Sequence, residues 1–284
     1  MKTKTTLLLT LFCAFSMLAA VSPSEKEALV KLYESTNGKQ WKVKWDLTAP
    51  VSTWFGVKLL NDKVVAIQLA DNNLIGELPA EISNLESLQE LDLHKNQITG
   101  SIPAAVGELK QMQVLNLSFN KLQGSIPNAI CELNNLKKLE LYMNGLSGEL
   151  PEDIGALSQL EVLSLFNNQL EGEIPTSLYE IKNLKALLLN SNRLVGALDR
   201  KVEQLTALEN LSLFDNKMVG QVPFELEKLN NLKEMNISYN QFNGLVSRNL
   251  AVLDTLNMTM LNDKGVATLL ELSTSRNTAI AAED

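Results

Sequence analysis

The stretch that decides the fold is residues 136–159, LKKLELYMNGLSGELPEDIGALSQ, because its pattern returns every 24 residues, eight times without insertion or deletion, between positions 64 and 255. Counting the first residue of each block as zero, position 8 is always Asn: Asn72, Asn96, Asn120, Asn144, Asn168, Asn192, Asn216 and Asn240. Position 12 is always Gly, and position 15 is Pro in six blocks, with Asp199 and Ser247 as the exceptions. A fixed period of this length predicts a solenoid.

Apolar residues at fixed positions indicate how each block folds. Positions 3 and 5 are apolar in every block, as in Leu115 and Leu117, and a period of two marks a short strand with one buried face. Positions 10, 14, 18 and 21 are apolar as well. One coil is too small to bury these side chains, so stacked coils close a continuous apolar core and the end coils need caps.

The recurring Asn, Gly and Pro residues have separate tasks. The Asn amide offers two donors and an acceptor to backbone groups that turn inward after the strand and that cost about 1–3 kcal/mol each when unpaired. We therefore predict that Asn144→Leu costs about 2 kcal/mol or more, and that Asn240→Leu, near the end, costs less. Gly at position 12 indicates a positive φ or a close approach, and Pro at position 15 indicates the end of an extended segment.

The segments LQELDLHKNQITGSIPAAVGEL and LEVLSLFNNQLEGEIPTSLYEI follow LxxLxLxxNxLxGxIPxxLxxL, which resembles the plant-type leucine-rich repeat. The resemblance implies a β-rich α/β solenoid, a right-handed curved superhelix of eight 24-residue coils with a parallel sheet on its concave side. It also implies a short second sheet from the LxGxIP segment, a cap at each end, and a role in binding rather than catalysis.

The amino-terminal residues favour export. Residues 1–20 contain Lys2 and Lys4 followed by the apolar run LLLTLFCAFSMLAA, which predicts a secretory signal peptide cleaved near Ala20. The alternative is an uncleaved anchor, but the run is short for a bilayer span of about 20 residues. We expect a secreted, extracellular protein, periplasmic or on the cell surface in a bacterium, without stable membrane insertion after cleavage. A formal net charge of −8 argues against nucleic acid as a partner.

Residues 21–63 are predicted to form the amino-terminal cap. The segment 24–36 reads as a helix, with Ser24 and Glu27 at capping-box spacing and Asn37-Gly38 as its end. The helix, a Trp cluster and the sequence WFGV resemble the cap of plant-type repeat proteins, in which a Cys pair flanks the WxGV motif. Here Ser52 and Leu59 occupy those places, as in caps of bacterial and some protist secreted repeat proteins. We predict that Trp41, Trp45 and Trp54 cover the first coil by apolar burial instead.

The repeats are assigned to residues 64–255, and residues 256–284 to a carboxy-terminal cap and flexible tail, since Lys264 replaces the Asn there although Leu261 still falls near position 5. A single Cys131 remains after signal removal. Because its position is small in several blocks, we interpret it as a buried small residue rather than a reactive thiol.

Positions 2, 4, 6 and 7 of each block are predicted to point away from the core and to line the concave side; we call this surface the strand face. Its candidate partner-binding residues are His94, Phe119, Tyr142, Met143, Phe166, Phe214 and Tyr239. Aromatic rings carry much of the energy of protein and peptide interfaces and also stack on sugars. The alternative is that these rings are ordinary constituents of the repeat, and both interpretations stay open.

Nothing in the sequence predicts a catalytic, cofactor-binding or metal site: no nucleophile motif, phosphate-binding loop or Cys/His cluster occurs, and the single His94 lies on an open strand. We expect a non-enzymatic, monomeric recognition module that binds a protein or peptide, needs no cofactor, and favours a basic or hydroxyl-rich partner. The alternative is a module that binds carbohydrate or a surface, such as a cell-wall polymer or ice. Four sequons begin at Asn116, Asn210, Asn236 and Asn257.

Overall fold

The computed structural model describes residues 21–254, 256, 258–262 and 264–272. The predicted signal peptide and the segment 273–284 of the predicted tail lie outside the described residues.

A parallel sheet forms one side of the described solenoid. Its nine strands are Val57–Leu60, Lys63–Gln68, Glu90–Asp92, Val114–Asn116, Lys138–Glu140, Val162–Ser164, Ala186–Leu188, Asn210–Ser212 and Glu234–Asn236. The first two pair antiparallel and belong to the cap side, whereas from Lys63–Gln68 onward every pair is parallel. Partner residues differ by 24 throughout the parallel part, as in Glu90 with Val114, so the repeat length sets the register.

The predicted second sheet is present as short separate pieces. They pair Ile75–Glu77 with Gln97–Thr99; Gln123–Gly124 with Gly145–Gly148 and Gln169–Leu170; Val219–Gln221 with Gln241–Asn243; and Leu245–Val246 with Glu271–Leu272. Between the pieces the backbone bonds continue, for example from Lys121 N–H to the Ile98 carbonyl at 2.8 Å and from Val195 N–H to the Gly172 carbonyl at 2.9 Å. At the gaps the backbone therefore departs from strand geometry, but neighbouring coils stay hydrogen-bonded to each other.

Short 3₁₀ helices follow the second sheet in most coils. They span Ala80–Asn84, Ala104–Glu108, Asn128–Glu132, Ile154–Ala156, Thr176–Glu180, Arg200–Gln204 and Phe224–Lys228, while the last coil has the α-helix Arg248–Leu253. Five of them begin directly after the position-15 Pro. The two exceptions to Pro cap their helices with side chains, since Asp199 accepts from Lys201 N–H and Ser247 from Leu250 N–H. The expected end of the extended segment at position 15 is confirmed.

The position-12 glycines all have positive φ, as expected. The requirement is strictest at Gly76, where φ is 133° and an added Cβ would lie 2.0 Å from the Ser35 carbonyl oxygen at the end of the first helix. This residue lets the cap helix pack directly against the first coil.

The core is one continuous cluster of the predicted apolar positions, running from the cap helix to the last coil. The Asn column lies beside it. In Asn120, Nδ2 donates to the carbonyls of Leu117 at 3.0 Å and, one coil back, Leu93 at 3.0 Å, while Oδ1 accepts the N–H of Ile98 at 2.9 Å. Equivalent bonds recur at Asn96, Asn144, Asn168, Asn192, Asn216 and Asn240. Each amide thus joins the backbone of its own coil to that of the preceding coil.

Three buried indoles cover the first coil, as predicted. Trp45 stacks on Trp54 at 4.8 Å between ring centroids and contacts Trp41 edge-on at 4.9 Å. Each indole N–H donates to a backbone carbonyl: Trp41 to Thr36, Trp45 to Phe55 and Trp54 to Asp46. Asn72 extends its column into this cap, because its Oδ1 accepts the Val43 N–H at 2.8 Å.

The predicted cap helix exists, at Pro23–Ser35, with 3₁₀ turns at Gly38–Gln40 and Val51–Thr53, but its predicted capping box is wrong. Ser22 is the N-cap and Glu25 is its partner, rather than Ser24 and Glu27. Both pairs have the same spacing. Pro23 decides between them, because a proline fits the first helical position, where its fixed φ suits the helix and no N–H is needed. Glu25 also accepts the Val64 N–H at 3.1 Å and so ties the helix to the first parallel strand.

A buried carboxylate closes the other end. Asp254 pairs with Met235 of the last sheet strand, and its oxygens accept the Ile237 N–H at 2.8 Å, the Ser238 hydroxyl at 3.0 Å and the Met258 N–H at 3.2 Å. Leu261 is in a strand, Thr259–Leu261, as the residual pattern suggests. This strand turns back antiparallel onto Ala267–Leu269 instead of starting another coil.

Candidate functional site

The strand face ends at a row of left-handed residues. Position 7 of every block has φ between 50° and 58°, including the bulky Phe119, Met143 and Tyr239. In the first seven blocks its N–H donates to the position-6 carbonyl of the next coil, as from Phe119 to Tyr142 at 2.9 Å, and in the eighth the Tyr239 N–H donates to the Thr259 carbonyl at 2.6 Å. The left-handed conformation costs about 1–2 kcal/mol for a residue with a Cβ, so the stacked bonds hold it in place. Asp71, Asn167 and Asp215 in this column were the available sequence signal, because Asn and Asp tolerate such φ values.

The candidate rings form two groups rather than one patch. Tyr142 stacks on Phe166 with centroids 4.3 Å apart and planes 13° apart, and Phe119 contacts Tyr142 edge-on at 5.3 Å. These three residues are the central aromatic cluster. Phe214 and Tyr239 form the second group at 5.2 Å. Coil six separates the groups, because it holds Asn190 and Ser191 at the corresponding positions.

The remaining candidates lie around the central cluster. Met143 is half-buried next to Tyr142 in the chain, and the His94 side chain is 36% exposed with Nδ1 at 2.7 Å from the Asp92 carboxylate. Glu140 is a strand-face residue two positions before Tyr142 in the same coil, and it is half-buried. Burial raises the pKa of the Glu140 carboxyl and the charge of Asp92 raises it further, against the opposite influence of Lys138 and His94.

The expectation that all four strand-face positions point outward is wrong at several small residues. Ser118 and Ser238 at position 6 and Ser164 at position 4 are buried, as is Ala66 at position 2. Ser238 is buried because the carboxy-terminal cap covers it through Asp254. Short side chains at these positions do not reach past their larger neighbours, so the exposed part of the strand face is smaller than the pattern suggests.

Three of the sequon asparagines, Asn116, Asn210 and Asn236, lie on strands of the main sheet, while Asn257 lies outside the described residues. Asn116 accepts the N–H and the hydroxyl of Ser118 at 3.1 and 2.7 Å.

Cys131 is buried, and burial together with the charges of Asp153 and Glu132 raises the pKa of its thiol to about 11. The thiol therefore stays protonated at neutral pH, in agreement with a packing role. In the described part of the chain, no group of three or more His, Cys, Asp or Glu side chains is placed to hold a metal ion. None of the described helices combines the length and apolar character needed to cross a bilayer.

Two family models match the chain: a leucine-rich repeat region over residues 112–263 and a leucine rich repeat over residues 62–122. A probable leucine-rich repeat receptor-like protein kinase of Arabidopsis thaliana is 41% identical over 91 residues, which are 31% of this chain and 9% of that protein. The chain belongs to the leucine-rich repeat family, of the plant type.

Solved structures agree on the architecture. PEPR1–AtPEP1 matches 88% of this chain and 42% of its own with a TM-score of 0.69 and 27% identity. The plant peptide hormone receptor RGFR1, in complex with RGF2, matches 75% of this chain and 37% of its own with a TM-score of 0.61 and 28% identity. This chain therefore spans about two fifths of the length of these receptor structures.

The structure of a plant ice-binding protein aligns with 90% of this chain and with 99% of its own chain, with a TM-score of 0.59 and 23% identity. This similarity shows the shared fold alone.

Proposed function

We propose that this chain is a secreted, non-enzymatic recognition module that binds a protein or peptide through its strand face. The observation that carries the proposal is the central aromatic cluster, in which Tyr142 contacts both Phe119 and Phe166 just past the ends of three adjacent strands of the parallel sheet. Rings that are already ordered lose little conformational freedom on binding, which is typical of residues that dominate interface energetics. The peptide hormone receptor among the similar structures supports the same class of function.

The charges of the strand face favour a basic or hydroxyl-rich partner. Glu90, Asp92 and Glu140 lie on the strands before and under the cluster, with Lys138 beside them. The Lys95 ammonium is already paired with Asp71 at 3.5 Å. The excess of carboxylates near the rings attracts positive groups by Coulomb interaction. The negative faces of the aromatic rings attract them as well.

A crystalline surface such as ice is the weaker alternative. A lattice repeats, so a lattice-binding face needs the same residue down a column. Position 2 instead reads Ala66, Glu90, Val114, Lys138, Val162, Ala186, Asn210 and Glu234. This irregularity suits an individual partner.

The test uses residues 21–284, immobilised and incubated with the native medium. The captured species is identified and purified, and its affinity is measured for Tyr142→Ala, Phe166→Ala and the wild type. We expect each variant to bind at least about tenfold more weakly, with an unchanged unfolding midpoint.

Phe55→Ala is the matched control, because Phe55 is 48% exposed in the amino-terminal cap, just before the edge strand Val57–Leu60 and several strands from Tyr142 and Phe166. Wild-type affinity in both aromatic variants, or an equal loss in the control, contradicts the proposal.

A further inference from the structure

The strand face holds a second feature, a depression of about 310 Å³ between the two aromatic groups. One wall is apolar, formed by Phe166 and Leu188. The other is polar and neutral except for one carboxylate, with Asn190, Asn210, Ser212, Glu234 and Asn236. The buried residues Leu211 and Met235 also line the depression. It exists because coil six has Asn190 where coils four and five have rings, and because coil seven has the small Ser212 beside it.

The polar wall is partly pre-organised. Asn210 Nδ2 donates to Glu234 Oε2 at 3.0 Å, which fixes an amide next to a carboxylate whose other lone pairs stay available. The side chains of Asn190 and Ser212 make no hydrogen bond to any residue within the described ranges, and both are half-exposed. The wall thus presents donors and acceptors together.

We propose that this depression binds one pyranose ring of a neutral sugar, with the ring's C–H face on Phe166 and its hydroxyl groups on Asn190, Asn210, Ser212 and Glu234. The ligand class follows from the lining. Each sugar hydroxyl is both a donor and an acceptor, and so are the amide and hydroxyl side chains that outnumber the single carboxylate. An aromatic ring supplies the apolar half that a sugar face requires.

Charge and size exclude other small ligands. No Lys or Arg lines the depression, which disfavours an anion. A cation would be attracted by the Glu234 carboxylate and the Phe166 ring, but it would leave the amides of Asn190 and Asn210 without a hydrogen-bond partner. The volume lies at the lower limit of small-molecule sites, about 300–1,000 Å³, and fits one ring rather than a chain.

This binding goes beyond the proposed recognition of a protein or peptide and is tested separately, since the depression shares only Phe166 with the central aromatic cluster. The protein is made in a host without N-glycosylation, because Asn210 and Ser212 form a sequon. Isotope-labelled wild type is titrated by NMR with methyl β-D-glucopyranoside, methyl β-D-galactopyranoside and methyl α-D-mannopyranoside, and with n-butylammonium as the cation probe.

We expect saturable shifts for at least one glycoside, confined to the amides of Phe166 and Asn190 and of strands Ala186–Leu188, Asn210–Ser212 and Glu234–Asn236. Asn210→Leu and Glu234→Leu each weaken this binding by about tenfold or more, and Phe55→Ala, in the amino-terminal cap, leaves it within about twofold. All three variants change half-exposed or exposed side chains, and their folding is checked from the undisturbed amide spectrum.

Three results overturn the proposal: no saturable shift with any glycoside, binding that Asn210→Leu and Glu234→Leu leave unchanged, or saturation by n-butylammonium alone, which assigns the depression to a basic group.

Discussion

At the amino-terminal end, a helix and three indoles lie over the first coil, all three indoles are buried, and their N–H groups reach backbone carbonyls. At the carboxy-terminal end, one buried carboxylate receives the backbone donors of the last coil, while the strand beyond it is open, with Leu269 67% exposed. An end coil leaves both apolar surface and backbone groups without partners. The first cap supplies both needs with a helix and three indoles, whereas the second combines the hydrogen bonds of Asp254 with a smaller buried apolar set that includes Met258 and Met260.

The largest expected effect separates the two caps by apolar burial. Trp41→Ala is expected to lower the free energy of unfolding by about 3–5 kcal/mol, because it removes a buried ring from a packed cluster. Leu269→Ala, which shortens an exposed side chain in the outer strand of the second cap, is expected to change it by less than about 0.5 kcal/mol. Urea unfolding followed by circular dichroism measures both, and similar losses at the two sites contradict this division.

The next effect removes the second cap's hydrogen bonds. Asp254→Ala is expected to cost about 2–3 kcal/mol, since it leaves the N–H groups of Ile237 and Met258 without an acceptor. Asp254→Asn keeps one acceptor oxygen and is expected to cost less. The amide of Ile237 is expected to exchange hydrogen faster in the alanine variant. Unchanged exchange at that amide shows that the carboxylate does not close the sheet.

The Asn column gives a prediction in which the structure changes the expectation from sequence. Asn240, next to the second cap, is fully buried and makes the same set of bonds as the half-buried Asn144. Asn144→Leu and Asn240→Leu are therefore both expected to cost about 2 kcal/mol. If Asn240→Leu lowers the free energy of unfolding by less than half as much as Asn144→Leu in the same assay, the bonds at the end of the column contribute less stability, as the sequence alone suggested.

The smallest effect is a pH dependence of the first cap. Burial alone raises the pKa of Glu25, but hydrogen bonds from Ser22 and Val64 and the charge of Lys63 outweigh it, so the pKa lies below its usual value. Because the pKa of Glu25 is lower in the folded state, its ionised carboxylate stabilises the fold at pH values above the unfolded pKa of about 4.3. This stabilisation is lost as the pH falls below that value and through the folded pKa. The difference in unfolding free energy between wild type and Glu25→Gln, about 1 kcal/mol at pH 7, is expected to shrink toward pH 3.

If the difference in unfolding free energy between wild type and Glu25→Gln stays constant from pH 7 to pH 3, the ionised carboxylate does not have this role.

Periodicity was sufficient for most of the fold, because a 24-residue repeat imposes one geometry on every coil. The buried positions, the positive φ of the glycines and the indole cover all follow from local pattern. It was insufficient where two equal signals competed, as with Ser22 and Ser24, and where a side chain's reach depends on its neighbours, as with Ser118.

One signal in the sequence becomes interpretable only with the register in hand. Position 1 alternates in charge through Lys137, Glu161, Lys185, Glu209 and Lys233. The structure pairs Lys185 with Glu161 at 2.7 Å and Lys233 with Glu209. These pairs are half-exposed and contribute little stability, so their value lies in favouring the alignment of neighbouring coils.

The sequence by itself determined the family, the coil length, the core and the column of amides, since each depends on residues that recur at a fixed spacing. Only the tertiary structure decided how the carboxy-terminal end is closed, which rings touch, and where the depression beside Phe166 lies. These features depend on contacts that differ from coil to coil, such as Phe119 with Tyr142 and Asp254 with Ser238, and an irregular contact leaves no periodic trace in the chain.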